Sequence, residues 1–148
     1  MAQERPAVFS HAAICTADLE RSTRFYTQAF GFEQDMHVEF SEPFEKITEL
    51  PEVSARATFF WLGDFRLELL EYTTPGSVGS PERRPINKIG LSHLGIAVRD
   101  IDEAVSKINE FGGQALDHTR IWTPAGHMIF CTDPDGTRLE IWQKPEET

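Results

Sequence analysis

The chain repeats itself. "FSHAAICTADLERSTRFYTQAFGF" lies over "LSHLGIAVRDIDEAVSKINEFGG" without a gap: Ser10 on Ser92, His11 on His93, Ile14 on Ile96, Asp18 on Asp100 and Gly31 on Gly113, at a constant offset of 93 − 11 = 82. Such a repeat means that one supersecondary unit is built twice, and it restricts the fold more than any other feature. In each copy a short apolar strand leads to an aspartate placed to cap a helix, Asp18 or Asp100. The helices run to about Phe30 and Phe111, and Gly31 and Gly113 stop them. Strand patterns follow. The first copy has "EQDMHVEF", "SARATFFWLG" and "DFRLELLEYT", and the second has "QALDHTRIW", "HMIFCTD" and "TRLEIWQ". "DPDG" at 133–136 reads as a hairpin turn, and "LGD" at 62–64 does the same job. "SEPFEKITELPE" is an extra polar loop with a short helix in the first copy only.

Each copy therefore reads strand, helix, strand, strand, strand. The expected class is α+β, with two tandem βαβββ modules forming a curved mixed sheet that cups a site. The boundaries are 7–73 for the first module, 74–89 for a Pro/Gly/Ser-rich linker and 90–145 for the second module, all within one compact domain. A length of 148 residues suffices for that.

Alternation along the strands carries the chemistry. Leu94, Ile96 and Val98 share the face that packs on the helix, and His93 lies opposite with Leu91, Gly95 and Ala97. In the first copy Ala12 and Ile14 share a face, and His11 lies opposite with Ala13 and Cys15. In the last strands Phe65, Leu67 and Leu69, and Leu139 and Ile141, are the apolar sets, while Glu68 and Glu140 point away from them. Each copy thus offers one histidine and one glutamate on the face left uncovered by helix. A single strand histidine is ordinarily core or rim, and a single strand glutamate is ordinarily solvated. Matched positions in both copies are the reason to read them as ligands. Two imidazoles and two carboxylates suit a divalent transition metal. The absence of thiolates disfavours a closed structural zinc site. Four protein ligands on a six-coordinate ion leave two positions for water or substrate oxygens, which a catalytic metal needs.

These motifs ("SHAAICTADLERSTRFYTQAFGF", "RLELLEYTTPG", "LSHLGIAVRDIDEAV" and "DPDGTRLEIWQ") resemble the vicinal oxygen chelate superfamily, over about Val8 to Gln143. That superfamily includes glyoxalase I, methylmalonyl-CoA epimerase, extradiol dioxygenases, and bleomycin and fosfomycin resistance proteins. The resemblance implies paired modules forming a cup around one divalent ion (Ni, Zn, Co, Mn or Fe). The glyoxalase-like ligands would be His11, Glu68, His93 and Glu140. It implies a lyase or isomerase of the lactoylglutathione lyase type, acting on a small oxygenated substrate through a metal-stabilised enolate. Glu68 or Glu140 would be the general base. The cup would form within one chain or across a homodimer, the assembly expected here.

Two other readings stay open. Extradiol dioxygenases use Fe(II) with two His and one Glu, which leaves Glu68 superfluous. A non-catalytic ligand-binding or resistance protein of the same fold is the other; metal-free resistance proteins lose the His/Glu set, which this chain keeps. Epimerase relatives often carry Gln where Glu68 stands, and no signature of a glutathione pocket is evident.

The remaining titratable and aromatic residues take second place. His37 is read as facing the cup together with Glu39, and His127 as lying at a hairpin lip. His118 is read as surface. Glu71 shares the phase of Leu67 and Leu69 and so points to the helix side. Trp61, Trp122, Trp142, Phe59 and Tyr72 are read chiefly as core.

Lys and Arg total 14 against 24 Asp and Glu, a formal charge of −10, which argues against nucleic acid or an anionic membrane as partner. Cys15 and Cys131 form no metal-type pair and are read as small core side chains. The stretch "MAQERPAVFS" has no apolar run of signal-peptide length, and a cytoplasmic location is expected.

Overall fold

The computed structural model describes residues 6–145. Residues 1–5, half of the stretch read above for a signal peptide, lie outside them. The elements are β1 (Ala12–Cys15), α1 (Leu19–Phe30), β2 (Glu33–Phe40), α2 (Glu45–Thr48), β3 (Ser54–Leu62), β4 (Phe65–Thr74), β5 (Leu94–Val98), α3 (Ile101–Glu110), β6 (Gln114–Ala115), β7 (Ile121–Thr123), β8 (Gly126–Thr132) and β9 (Arg138–Gln143). The class is α+β, as expected. The strands form two sheets, ordered β1-β4-β3-β2 and β5-β9-β8-β6, with β7 also on β8. Both are mixed: β1 runs parallel to β4, and β5 to β9, while the later strands pair antiparallel. No helix among the described residues is long and apolar enough to cross a membrane.

The chain divides into two compact units. One holds the described residues up to Leu19 together with Phe32–Ser77, and the other holds Glu20–Gly31 with the chain from Val78 on. The first unit's core lies on one face of its sheet: Ile14, Leu67, Leu69 and Phe60 are all under one-tenth exposed. The alternation of "RLELL" dictates this, since Leu67 and Leu69 point one way and Arg66, Glu68 and Leu70 the other. Glu71 falls on the apolar side, where its carboxylate binds Arg56 and accepts the Leu19 N–H at 3.3 Å.

In the second unit, Ile101, Ala104 and Ile108 make the buried stripe of α3, at i, i+3 and i+7. They meet a sheet face built from Ile96, Ile129, Leu139 and Ile141. Asp100 caps this helix as read, accepting from Asp102 N at 2.8 Å and Glu103 N at 3.0 Å. Helix α1, first-copy by sequence, joins this unit by packing. Tyr26 donates to Asp133 at 2.9 Å, and Arg21 pairs with Asp135. Burial, then the Asp133 charge, raises the Tyr26 pKa, and burial also raises that of Asp133. Gly113 allows this approach, because a Cβ there would lie 2.7 Å from the Phe25 ring and 2.5 Å from the Thr132 carbonyl. The left-handed turn that ends α3 belongs instead to Gly112, with φ +96.

Several expectations need correction. "QALDHTRIW" is not one strand: a 3-10 turn at Asp117–Thr119 breaks it, held by the Thr119 hydroxyl, which donates to Leu116 O at 2.7 Å and accepts from Phe130 N at 2.9 Å. The strands expected to contain His11 and His93 begin one residue later, where the parallel ladders start at Ala12–Leu67 and Leu94–Leu139. Cys131 is core, and burial pushes its thiol up to about 11, but Cys15 is exposed. Trp61 and Trp122 are not core either, at 40% and 63% exposed.

Candidate metal centre

The registers fix which side chains share a face. Ala13 pairs with Glu68, and Glu68 with Phe59, so the phase of His11 and Ala13 coincides with that of Glu68 and Phe59. In the second unit Gly95 pairs with Glu140, and Glu140 with Phe130. The same three residue types therefore recur in equivalent places. His11 Nε2 lies 3.2 Å from Glu68 Oε2, and His93 Nε2 lies 3.7 Å from Glu140 Oε2. Each imidazole meets its phenylalanine edge-on, at centroid distances of 5.4 Å for His11–Phe59 and 5.3 Å for His93–Phe130.

A serine hydroxyl stands against the Nδ1 of each histidine. Ser10 Oγ is 2.9 Å from His11 Nδ1, and Ser92 Oγ is 2.9 Å from His93 Nδ1. With Nδ1–H donating to the hydroxyl, Nε2 keeps its lone pair and faces the glutamate, as outer-shell partners of ligating histidines arrange. Two donors bound side by side on one ion at about 2.1 Å are separated by roughly 3 Å. The 3.2 Å spacing of His11 and Glu68 fits that requirement, the 3.7 Å spacing of His93 and Glu140 is wider than it, and the imidazole–carboxylate donor set fits a divalent transition ion.

The structure thus brings the four expected ligands together as two pairs, His11 with Glu68 and His93 with Glu140. Among the described residues no group of three or more His, Cys, Asp or Glu side chains is gathered to hold a metal ion. Tyr72 shares the Glu68 phase through its pairing with Ala55, and burial, then the charges of Cys15 and Glu68, raises its pKa.

His37 does not lie where the sequence reading put it, whereas His127 stands at the β7–β8 hairpin as expected. A bulge between Gln34 and Met36 sets the register so that His37 pairs with Thr58, on the side of Leu69 and away from Glu68. Its Nδ1 is 2.8 Å from Thr58 Oγ1. His127 pairs with Gln143, in the phase of Ile129 and Ile141, and stacks on Trp122 at 3.5 Å. His118 sits in the 3-10 turn.

Two arginines went unnoticed. Arg66 lies over the Phe59 ring at 4.4 Å and Arg138 over the Phe130 ring at 5.3 Å, each two residues before its glutamate. The signal was available: "RLE" occurs at 66–68 and again at 138–140. Their surroundings differ. Arg66 pairs with Asp35 at 2.7 Å, and its Nε is buried without a hydrogen-bond partner. Arg138 donates to the Arg84 carbonyl at 2.9 Å, and desolvation and then the like charge of Arg83 lower its pKa.

The outer hydroxyls give a modest expectation. Ser92→Ala should weaken divalent-metal affinity toward the lower end of the roughly 10–100-fold typical of outer-shell losses, because that hydrogen bond is exposed. Isothermal titration with Co(II) measures it, and unchanged affinity would show that the hydroxyl does not orient the ring.

Comparison with known proteins identifies the family and the fold. The chain is 28% identical over 128 residues to the candidate glyoxylase CFP32 of Mycobacterium bovis, an alignment covering 86% of this chain but only 42% of that protein. Its fold matches that of a glyoxalase family protein from Bacillus cereus with a TM-score of 0.83 at 17% identity, over 97% of this chain and 98% of the other. The fosfomycin resistance protein FosX of Mesorhizobium loti shares the fold at a TM-score of 0.58 and 19% identity, over 91% and 90% of the two chains. Residues 8–141 match the family model, and the chain belongs to the Glyoxalase/Bleomycin resistance protein/Dioxygenase superfamily.

Proposed function

We propose that this chain is a metal-dependent enzyme of the glyoxalase type, a lyase or isomerase acting on a small oxygenated substrate, with His11, Glu68, His93 and Glu140 as the ligand set. The observation that carries this reading is the recurrence of one arrangement: a serine-held histidine whose Nε2 faces a glutamate 3.2 Å away in one unit and 3.7 Å away in the other. Family membership supports a small-molecule substrate and a divalent ion.

A divalent ion held by these donors acts as a Lewis acid, taking up negative charge on a substrate oxygen and so acidifying the neighbouring carbon. The chain's residues supply the rest. A carboxylate, at Glu68 Oε2 or Glu140 Oε2, accepts the proton from that carbon and returns it. The flanking rings of Phe59 and Phe130 hold the imidazoles edge-on and keep water from that side.

The test is hydrogen exchange. Candidate α-hydroxycarbonyl and thioester substrates, incubated in deuterated water with the metal-loaded chain and followed by NMR, are expected to exchange the carbon-bound hydrogen even without net turnover. If none exchanges and catechols consume oxygen instead, the chain is a dioxygenase and the proton-transfer reading is wrong.

A further inference from the structure

The two repeats place an arginine on the same phenylalanine as the histidine, yet only one of those arginines is neutralised. Arg66 has Asp35 at 2.7 Å. Among the described residues neither Arg138 nor its neighbours Arg83 and Arg84 forms an ion pair with Asp or Glu. Arg138, with Arg83 close enough to lower its pKa, has no carboxylate of its own in a chain of formal charge −10. The arrangement is built rather than incidental. Gly136, in the turn before β9, lets the linker lie against it, since a Cβ there would be 2.2 Å from the Pro81 carbonyl. That contact seats residues 81–84, and the Arg84 carbonyl then accepts from Arg138 at 2.9 Å. Arg84 itself donates to the Ile89 carbonyl at 3.3 Å.

We infer that Arg138, with Arg83 beside it, is a substrate-recognition element for an oxyanion, a carboxylate or a phosphate, carried by the same molecule whose reacting oxygens lie at the His93–Glu140 pair. The inference rests on the functional reading above and narrows its substrate class to anionic molecules. Arg138 and His93 both pack on Phe130, at 5.3 Å each, so the anion would be held about one aromatic ring away from the reacting atoms. Beyond Arg138 there is room for the rest of such a molecule. Its cross-strand neighbour Thr132 lines a cleft of about 730 Å³ with Arg83, Gln114 and His118. Glu82 and Asp117 share that lining, so the cleft itself is of mixed charge, and the anion-binding role falls to Arg138 beside it rather than to the cleft wall. A guanidinium with no carboxylate of its own binds an oxyanion through charge-assisted hydrogen bonds, which a neutral substrate cannot offer.

Calorimetric titration of the full chain with malonate and with inorganic phosphate tests this without turnover. Saturable binding of at least one is expected, and malonamide, the neutral counterpart of malonate, should not bind. Arg138→Gln should weaken binding on the order of 10–100-fold, the usual worth of a charged hydrogen bond. Arg138→Lys should fall between, keeping a point charge but losing the fork. Arg66→Gln, at the neutralised counterpart, should stay within about twofold of the parent. Tighter malonate assigns the anion as a carboxylate, and tighter phosphate as a phosphate. If Arg138→Gln does not fold, Arg83→Gln and the loss of binding with added salt carry the test. No binding of either anion, an Arg138→Gln chain that binds like the parent, or equal losses at Arg66 and Arg138 would each overturn the inference. Metal content measured on the same samples separates the two claims. Absence of anion binding in a parent chain that takes up metal refutes this inference alone, whereas anion binding in a parent chain that never takes up metal refutes the functional reading alone.

Discussion

His93→Ala should strip the chain of its divalent metal and leave the fold standing. The imidazole is 31% exposed, precedes β5, and shares its face with Gly95 and Glu140 rather than with the buried Ile96 and Ile141. Its removal opens no core cavity, so the expected stability change is under about 1 kcal/mol. The effect on the metal is of another order. Losing an outer-shell partner already costs roughly 10–100-fold in affinity, and losing the ligand itself should exceed about 100-fold. Metal content after dialysis, read beside a thermal melt by circular dichroism, measures both. A variant that keeps stoichiometric metal would remove His93 from the ligand set, and one that unfolds would make it a structural histidine.

Glu68→Gln should separate binding from chemistry. The amide oxygen can still coordinate, so metal affinity should survive in large part. An amide is no base, however, and solvent exchange of the substrate hydrogen should slow by on the order of 10²–10⁴-fold. Glu140→Gln is the necessary companion, because Glu140 has an equivalent place beside His93, 32% exposed against 15% for Glu68. Deuterium incorporation followed by NMR compares the two directly, and the variant with the larger loss identifies the base. If neither slows exchange, both carboxylates act only as ligands.

The fold was legible in this sequence because its repeat is long and its strands alternate cleanly. Strands β3 and β4 follow their patterns, since one face of each is buried and a slip by one residue would turn Leu67 and Leu69 outward. The offset between copies, 82 at the histidines, falls to 140 − 68 = 72 at the glutamates. The difference of ten reflects the extra loop and short helix α2 of the first copy. The pairing of His11 with Glu68 and of His93 with Glu140 was legible for the same reason: parallel neighbours at a fixed phase point the same way.

What escaped depended on contacts that alternation does not encode. His37 was assigned to the wrong face because a bulge at Gln34–Met36 decides which residues of β2 face Glu68. His127 was rightly read at a hairpin lip, but its ring contact with Trp122 escaped, because β7 was hidden inside a run broken by the 3-10 turn. Arg66 and Arg138 were passed over although "RLE" stands in both copies, because their role shows only once Phe59 and Phe130 are seen beneath them. The placement of α1 with the second unit follows from long-range contacts such as Tyr26 with Asp133, 107 residues apart.

The central claim is that the two histidine–glutamate pairs serve one divalent ion, and a metal titration tests it most directly. The chain is stripped with chelator and titrated with Co(II), with visible absorption reporting coordination. Saturation at about one ion per chain is predicted, abolished when His11 and His93 are both replaced by alanine. No saturable binding, or binding that persists unchanged in the double variant, would contradict the account.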